Sequence, residues 1–268
     1  MLFSKNLYKL KMIALTCVLL SGCVPNQDST NQSVNLVTGY NVFGHNDKEL
    51  VTSSERHFKL IGRLIAPDGT YCTASLVWKN LILTAAHCVF KDGEYLKGKY
   101  QFLLGASNGT SVAESGVSYI WWGTADSQNN RNLDWAILKL EKPLGEKFGY
   151  FGWKSSTEEN LQNIMQAGYG SLFYQGKSMS GVQECSARAF LPDRGFIYHD
   201  CDTSTGDSGS PLFTCEQKTC FIVALHVAEH RNGGNTTLVL DEYNDKNANI
   251  AIYTQSFAAK LKELRDAN

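Results

Sequence analysis

The sequence predicts an all-β domain of antiparallel strands, a sandwich or barrel, closed by one helix at its carboxyl end. Three observations carry this. Short apolar runs of strand length dominate the chain, and many hold β-branched or aromatic residues. Gly, Asn, Asp or Lys separates one run from the next, at a spacing that suits hairpins rather than βαβ units. Helical periodicity appears only at the end, where Phe257, Leu261 and Leu264 recur at i, i+4 and i+7 with Lys and Glu on the opposite face.

In chain order, the first segment stands outside the fold. Lys5, Lys9 and Lys11 precede an apolar run from Met12 to Leu20, too short to cross a bilayer as a helix. Residues 1–22 therefore read as a signal peptide, with Cys17 discarded inside it. Leu20-Ser21-Gly22-Cys23 resembles a bacterial lipobox, which makes Cys23 the expected lipidated residue; an ordinary cleaved signal is the alternative. Residues 23–41 are rich in Asn, Gln, Ser and Thr without apolar period, and read as a polar tether or propeptide. The folded body runs from Val42 to Asn268.

Within that body the expected strands are Lys59–Ile65, Tyr71–Trp78, Leu81–Thr84, Tyr100–Leu104, Val117–Trp122 and Leu133–Leu140. A second group covers Ile164–Ala167, Gln183–Phe190, Phe196–His199, Pro211–Cys215, Phe221–Val227, Thr236–Leu240 and Ile250–Tyr253. Lys79-Asn80 reads as a hairpin turn, residues 145–156 as a crossing between two lobes, and residues 256–267 as the helix.

With 43% hydrophobic residues among 268 there is ample material for a core. A net charge of −1 argues against a nucleic-acid-binding surface, which needs a basic excess. The body's cysteines, Cys72, Cys88, Cys185, Cys201, Cys215 and Cys220, are even in number, as in exported disulfide-bonded chains. Several pairings are open, and joining neighbours gives Cys72–Cys88, Cys185–Cys201 and Cys215–Cys220. The rival is a zinc site of Cys215, Cys220, His226 and His230. The gap between the Cys and His pairs is too short for a ββα finger, and an oxidising compartment disfavours free thiolates.

The chemistry is carried by three short motifs. Gly206-Asp207-Ser208-Gly209-Ser210-Pro211 sets a serine between glycines, so the backbone can turn tightly and bring two N–H groups to a substrate carbonyl. Ser208 is the expected nucleophile, and the N–H groups of Gly206 and Ser208 the expected oxyanion hole. A serine hydroxyl needs a base within hydrogen-bond reach. His87, in Thr84-Ala85-Ala86-His87-Cys88, supplies it, and a Cys72–Cys88 bridge closing its loop adds on the order of 3 kcal/mol. Asp134, between Leu133 and the apolar Trp135-Ala136-Ile137-Leu138, must be partnered or exposed, and is the acid that fixes the base. Asp126 and Glu141 are nearby alternatives in polar, loop-like surroundings.

These motifs, in the order His, Asp, Ser, resemble those of bacterial trypsin-like serine peptidases of the chymotrypsin superfamily, most of all the glutamyl endopeptidase branch. The likeness runs from Val42 onward, and Val42-Phe43-Gly44 through Ile61-Gly62 resembles the mature amino terminus of that branch. The resemblance implies two six-stranded β-barrels, about 42–145 and about 150–255, with the triad His87, Asp134 and Ser208 in the cleft between them. It implies protein or peptide substrates and no metal or organic cofactor. The signal segment and the cysteines predict an exported chain, anchored through Cys23 or released, and a monomer is expected. Thr203 and His226 match positions that contact an acidic substrate side chain in that branch. Asp202 matches a pocket-floor aspartate that attracts Lys or Arg in trypsins, so cleavage after Lys or Arg stays open; the alternative is an Asp202 that points into the barrel or is tied to the Cys201 bridge. Asp207 departs from the glutamyl branch, where a neutral amide is usual; in trypsins the ammonium of a freshly cut amino terminus pairs with it. A cut between Asn41 and Val42 would supply that ammonium and free the enzyme from its anchor; the alternative is a passive tether and an Asp207 held by other donors. The reading from another functional class is a catalytically silent binding protein on the same scaffold.

Overall fold

The structure, a computed structural model, describes residues 40–267 apart from 45, 53–56, 232–242 and 245–246. The expected signal peptide, Cys23, almost all of the tether and the run Thr236–Leu240 lie outside the described residues.

Six strands form the first barrel: β1 (Ile61–Ile65), β2 (Tyr71–Leu76), β3 (Leu81–Thr84), β4 (Gln101–Leu104), β5 (Ala113–Trp122) and β6 (Ala136–Leu140). They close in the order β6-β3-β2-β1-β4-β5, with every neighbour antiparallel. The β2–β3 hairpin forms as expected, but with a wider loop, because β2 stops at Leu76 and Val77 and Trp78 donate their N–H groups to the Leu81 carbonyl.

The second sheet is built from β7 (Ile164–Gly168), β8 (Ser180–Cys185), β9 (Ala187–Leu191), β10 (Phe196–His199), β11 (Pro211–Glu216), β12 (Thr219–Arg231) and β13 (Asn247–Tyr253). Its order is β9-β10-β13-β12-β11-β7-β8, extended by Glu49–Leu50 beside β8 and by Gly152–Trp153 beside β12. Only Ser186 separates β8 from β9. These two strands are thus halves of one segment that serves both sides of the sheet, which is barrel-like. The expected single strand over 183–190 is broken at this point because the Ser186 N–H turns aside to Asp200 Oδ1, at 2.7 Å.

Several apolar runs lack polar alternation because their strands are buried on both faces. Ile82, Ala136 and Leu138 point into the first barrel with Leu64, Leu76 and Phe102, whereas Leu81, Leu83 and Ile137 join the largest cluster. That cluster also takes Phe58, Phe151, Tyr169, Phe213 and Leu225, and so forms the seam between the barrels. Helix α1 (Leu144–Phe148) opens the crossing between them. Helix α2 (Gln255–Asp266) packs Phe257, Leu261 and Leu264 onto the seam, matching the helix read from the sequence. Burying one such side chain is worth roughly 1.5–3 kcal/mol.

All three neighbour pairings form: Cys72–Cys88, Cys185–Cys201 and Cys215–Cys220. The last lies directly across the β11–β12 hairpin, so its sulfurs are not thiolate ligands, and His230 stacks on Tyr198.

Candidate active site

His87 sits in a single 3₁₀ turn, Ala86–Cys88, that ends β3. Its neighbours Ala85 and Ala86 are fully buried, and Cys88 is tied to β2 through Cys72. Asp134 follows a second 3₁₀ turn, Arg131–Leu133, rather than opening the strand, which starts at Ala136. Its carboxylate grips His87 twice: Oδ2 lies 2.9 Å from the ring Nδ1, and Oδ1 accepts the His87 backbone N–H at 3.0 Å. Arg131 Nη1 approaches Oδ2 at 3.5 Å. Burial alone would push the Asp134 carboxyl up, but the charge and hydrogen bonds of His87, with Arg131, hold it below the usual carboxylate range.

Ser208 is half-buried on a turn whose geometry follows from its glycines. Gly206 has φ +101°, and a Cβ there would strike the Tyr169 carbonyl and the Tyr71 ring. Gly209 has φ +80°, and a Cβ there would strike Thr84, the Thr73 carbonyl and, at 2.8 Å, Ala85 N. Glycine at 209 is what lets the serine turn lie against the residues that lead into His87.

Two peptides beside Ser208 are oriented from behind. The Thr205 carbonyl accepts the Ser171 N–H at 2.7 Å, and the Asp207 carbonyl accepts the Ser210 N–H at 2.8 Å. In a trans peptide the N–H points opposite to the C=O, so these bonds turn the N–H groups of Gly206 and Ser208 away from the protein behind them. Neither has an acceptor among the described residues. Two unpaired donors next to a serine can stabilise a developing oxyanion.

Thr73, which sequence reasoning missed, joins the two halves. Its N–H donates to the Ser208 carbonyl at 2.9 Å and its hydroxyl to the Gly206 carbonyl at 2.8 Å, while its own carbonyl accepts the Thr84 hydroxyl at 2.7 Å. A cleft of about 560 Å³ opens beside His87, walled by Phe90, Asp92 and Gly93 on one side and Ala125, Asp126 and Gln128 on the other.

Of the expected pocket residues, His226 lies on β12 behind the serine turn, its carbonyl accepting the Gly209 N–H at 2.8 Å. Its Nδ1 lies 3.1 Å from Nε2 of His199, a second buried histidine that the sequence reading passed over. Thr203 is fully buried, and its hydroxyl makes no hydrogen bond among the described residues.

A family model described as Trypsin matches residues 50–248. The chain belongs to the trypsin family. Over 197 residues it is 24% identical to a glutamyl endopeptidase of Bacillus licheniformis, covering 72% of this chain and 61% of the relative. It is 25% identical over 161 residues to a trypsin-like protease of Streptomyces glaucescens, covering 53% of this chain and 58% of that one. Human serine protease 23 is 25% identical over 174 residues, covering 54% and 43%. The trypsin-family chain thus spans less than two thirds of the length of these curated relatives. Among solved structures, a Glu endopeptidase in complex with MPD superposes with a TM-score of 0.67 at 22% identity, covering 84% of this chain and 99% of that one. This likeness establishes the chymotrypsin-type fold.

One expectation for this trypsin-family site needs correction. Asp202 does not reach out to a substrate: its oxygens accept the N–H groups of Phe43 and Asp47, each at 2.9 Å, and so fasten the amino-terminal arm. Asp207 already has a partner in the uncut chain, as in the alternative of an Asp207 held by other donors. Its Oδ1 pairs with Lys48 Nζ at 2.7 Å, with both side chains fully buried.

Buried titrating groups set the pH dependence of stability. Burial pushes the His199 imidazole down to about 3, and burial with neighbouring positive groups pushes His226 well below its usual range. Both are neutral when folded, whereas the unfolded chain protonates them below about pH 6.5. The stability this gives is complete above that pH and is lost as pH falls. Asp202 has the opposite sign: burial raises it to about 6, so its contribution is greatest near pH 4 and is lost as pH rises through 6. Two histidines outweigh one aspartate. The urea midpoint should therefore fall between pH 6.5 and pH 4, with His199 alone contributing on the order of 3 kcal/mol. His199→Gln should flatten the curve; a wild-type midpoint that stays level or rises towards pH 4 contradicts this.

Proposed function

We propose that this chain is an exported serine endopeptidase that cleaves after Glu or Asp, using His87, Asp134 and Ser208. The observation that carries the reading is the pair of outward-turned N–H groups beside Ser208, on a turn packed against the residues leading into the His87–Asp134 pair. In this mechanism Asp134 holds the proton on His87 Nδ1 and leaves Nε2 free to accept the Ser208 proton as Oγ attacks the substrate carbonyl. The oxyanion sits on the Gly206 and Ser208 N–H groups. His87 then returns the proton to the leaving amine, and water, deprotonated by the same imidazole, releases the acid product from the acyl-enzyme. Three disulfides support export, because such bridges persist in oxidising compartments.

Preference for an acidic residue rests on His226, His199 and Thr203. A neutral imidazole carries one proton. Acidic preference requires the tautomer in which His199 donates Nε2–H to His226 Nδ1; the His226 proton then lies on its own Nε2, which makes that atom a donor for a substrate carboxylate. The unpaired Thr203 hydroxyl is a second donor of the same kind. Cleavage after Lys or Arg would need an unengaged anion, and both oxygens of Asp202 are occupied. Profiling a peptide library tests this. Cuts should follow Glu and Asp, and His226→Ala should lower kcat/KM for those peptides by about 10- to 100-fold, the worth of a hydrogen bond to a charged group. Cuts predominantly after Lys or Arg would reject the assignment.

A further inference from the structure

The Lys48–Asp207 pair is the most unusual charge placement in the described residues. Taking an ammonium and a carboxylate wholly out of water is costly, and the contact repays that cost only with close geometry and further hydrogen bonds. Both are present. Lys48 Nζ lies 2.7 Å from Asp207 Oδ1 and 5.0 Å from the centre of the Phe173 ring. Asp207 Oδ2 accepts the Ser204 N–H at 2.9 Å, and Gln166 Nε2 approaches Oδ1 at 3.4 Å. The carboxylate rests on Gly168 and Gly170, where any Cβ would collide with it.

What the pair supports is the catalytic turn. Asp207 is bonded to Ser208, and its carbonyl sets the orientation of the Ser208 N–H. Its carboxylate also holds Ser204, whose hydroxyl accepts the Leu172 N–H at 3.3 Å; the preceding residue, Ser171, orients the Gly206 N–H through the Thr205 carbonyl. One carboxylate thus fixes both sides of the oxyanion hole, and an uncompensated anion there would be driven towards water, dragging the turn with it. Lys48 itself is held firmly. Its arm is fastened by the two bonds to Asp202, by the Lys48 N–H on Asn46 Oδ1 at 2.9 Å, and by pairing of Glu49–Leu50 with β8. Upstream, Tyr40–Asn41 pairs with Thr203–Ser204, so the chain passes through Val42 as an ordinary internal segment.

We infer that Lys48 is a positioning residue that supplies, from within the chain, the buried cation the serine turn requires, so that the oxyanion hole is assembled without a cut before Val42. The inference rests on the proposed hydrolytic function. Its test uses the full chain, confirmed uncut by intact mass, with active sites counted by a fluorophosphonate. Lys48→Met should lower kcat per titrated site by about 100-fold, comparable to losing one oxyanion donor, with KM changed less than about threefold. Lys48→Met combined with Asp207→Asn, which removes both charges, should recover at least about tenfold over Lys48→Met alone, and serves if that single variant folds poorly. The uncut wild-type chain should be as active as the same chain cut at an engineered site before Val42. Fewer titratable sites with unchanged kcat per site, no recovery in the double variant, or activity appearing only after cutting would each overturn the role of Lys48. A wild-type chain silent both cut and uncut would overturn the hydrolytic function, and this inference with it.

Discussion

Ser208→Ala should leave a folded protein that hydrolyses peptides at least about 10⁴-fold more slowly than the parent chain. The serine is held by its backbone rather than by its hydroxyl: its carbonyl accepts the Thr73 N–H, and the neighbouring Gly209 N–H is bound to the His226 carbonyl. Removing one oxygen atom therefore takes away the nucleophile and leaves the turn intact, and the melting temperature should move by no more than a few degrees. His87→Ala should be about as inactive, and the double variant little worse, because groups that act as a unit do not lose activity additively. Initial rates on a peptide substrate, beside thermal melts of each variant, check this. Comparable turnover by Ser208→Ala would remove Ser208 from the mechanism.

Asp134→Asn should lower kcat by about 10⁴-fold through a different route. The Asp134 carboxylate accepts both the ring Nδ1 proton and the backbone N–H of His87. Only one of the two asparagine groups can accept. If its oxygen stays on the backbone N–H, its amide donates to Nδ1 and forces the imidazole proton onto Nε2, where the ring can no longer take a proton from Ser208. Stability should also change with a defined sign. The Asp134 carboxyl is held below its usual range, so its contribution is present at neutral pH and is lost only in acid, below the ordinary carboxylate range. Asp134→Asn should accordingly be less stable than the parent at pH 7 and closer to it at pH 3. Rates and urea melts at both pH values test the two halves separately; a kcat within tenfold of wild type would dismiss Asp134 as the orienting acid.

The parts of this site that were legible in the sequence are those whose chemistry is local. Glycine on both sides of Ser208 is needed for the turn itself, and the cysteine after His87 pairs with another only 16 residues away. The alternation of Leu81, Ile82 and Leu83 between barrel interior and seam explains why such runs stand out as strands but do not tell which face is which. What was not legible depends on partners that only folding brings together. Asp207 could be seen to need a cation, yet Lys48 lies 159 residues upstream. Asp202 looked like a pocket floor because its place relative to Ser208 is local, while the N–H groups that occupy it come from 159 and 155 residues away. Thr73 carries no motif and shows its importance only through bonds to Thr84, Gly206 and Ser208. His199 becomes significant only once β10 and β12 bring it against His226.

The most direct measurement of the central claim is covalent labelling of the native chain with a fluorophosphonate, followed by peptide mass spectrometry. An activated serine beside an oxyanion hole reacts far faster than any ordinary hydroxyl. The account predicts one adduct per chain, on Ser208, formed by the folded protein and suppressed in His87→Ala and in urea. Absence of an adduct from the folded wild-type chain, or an adduct on any residue other than Ser208, would contradict it.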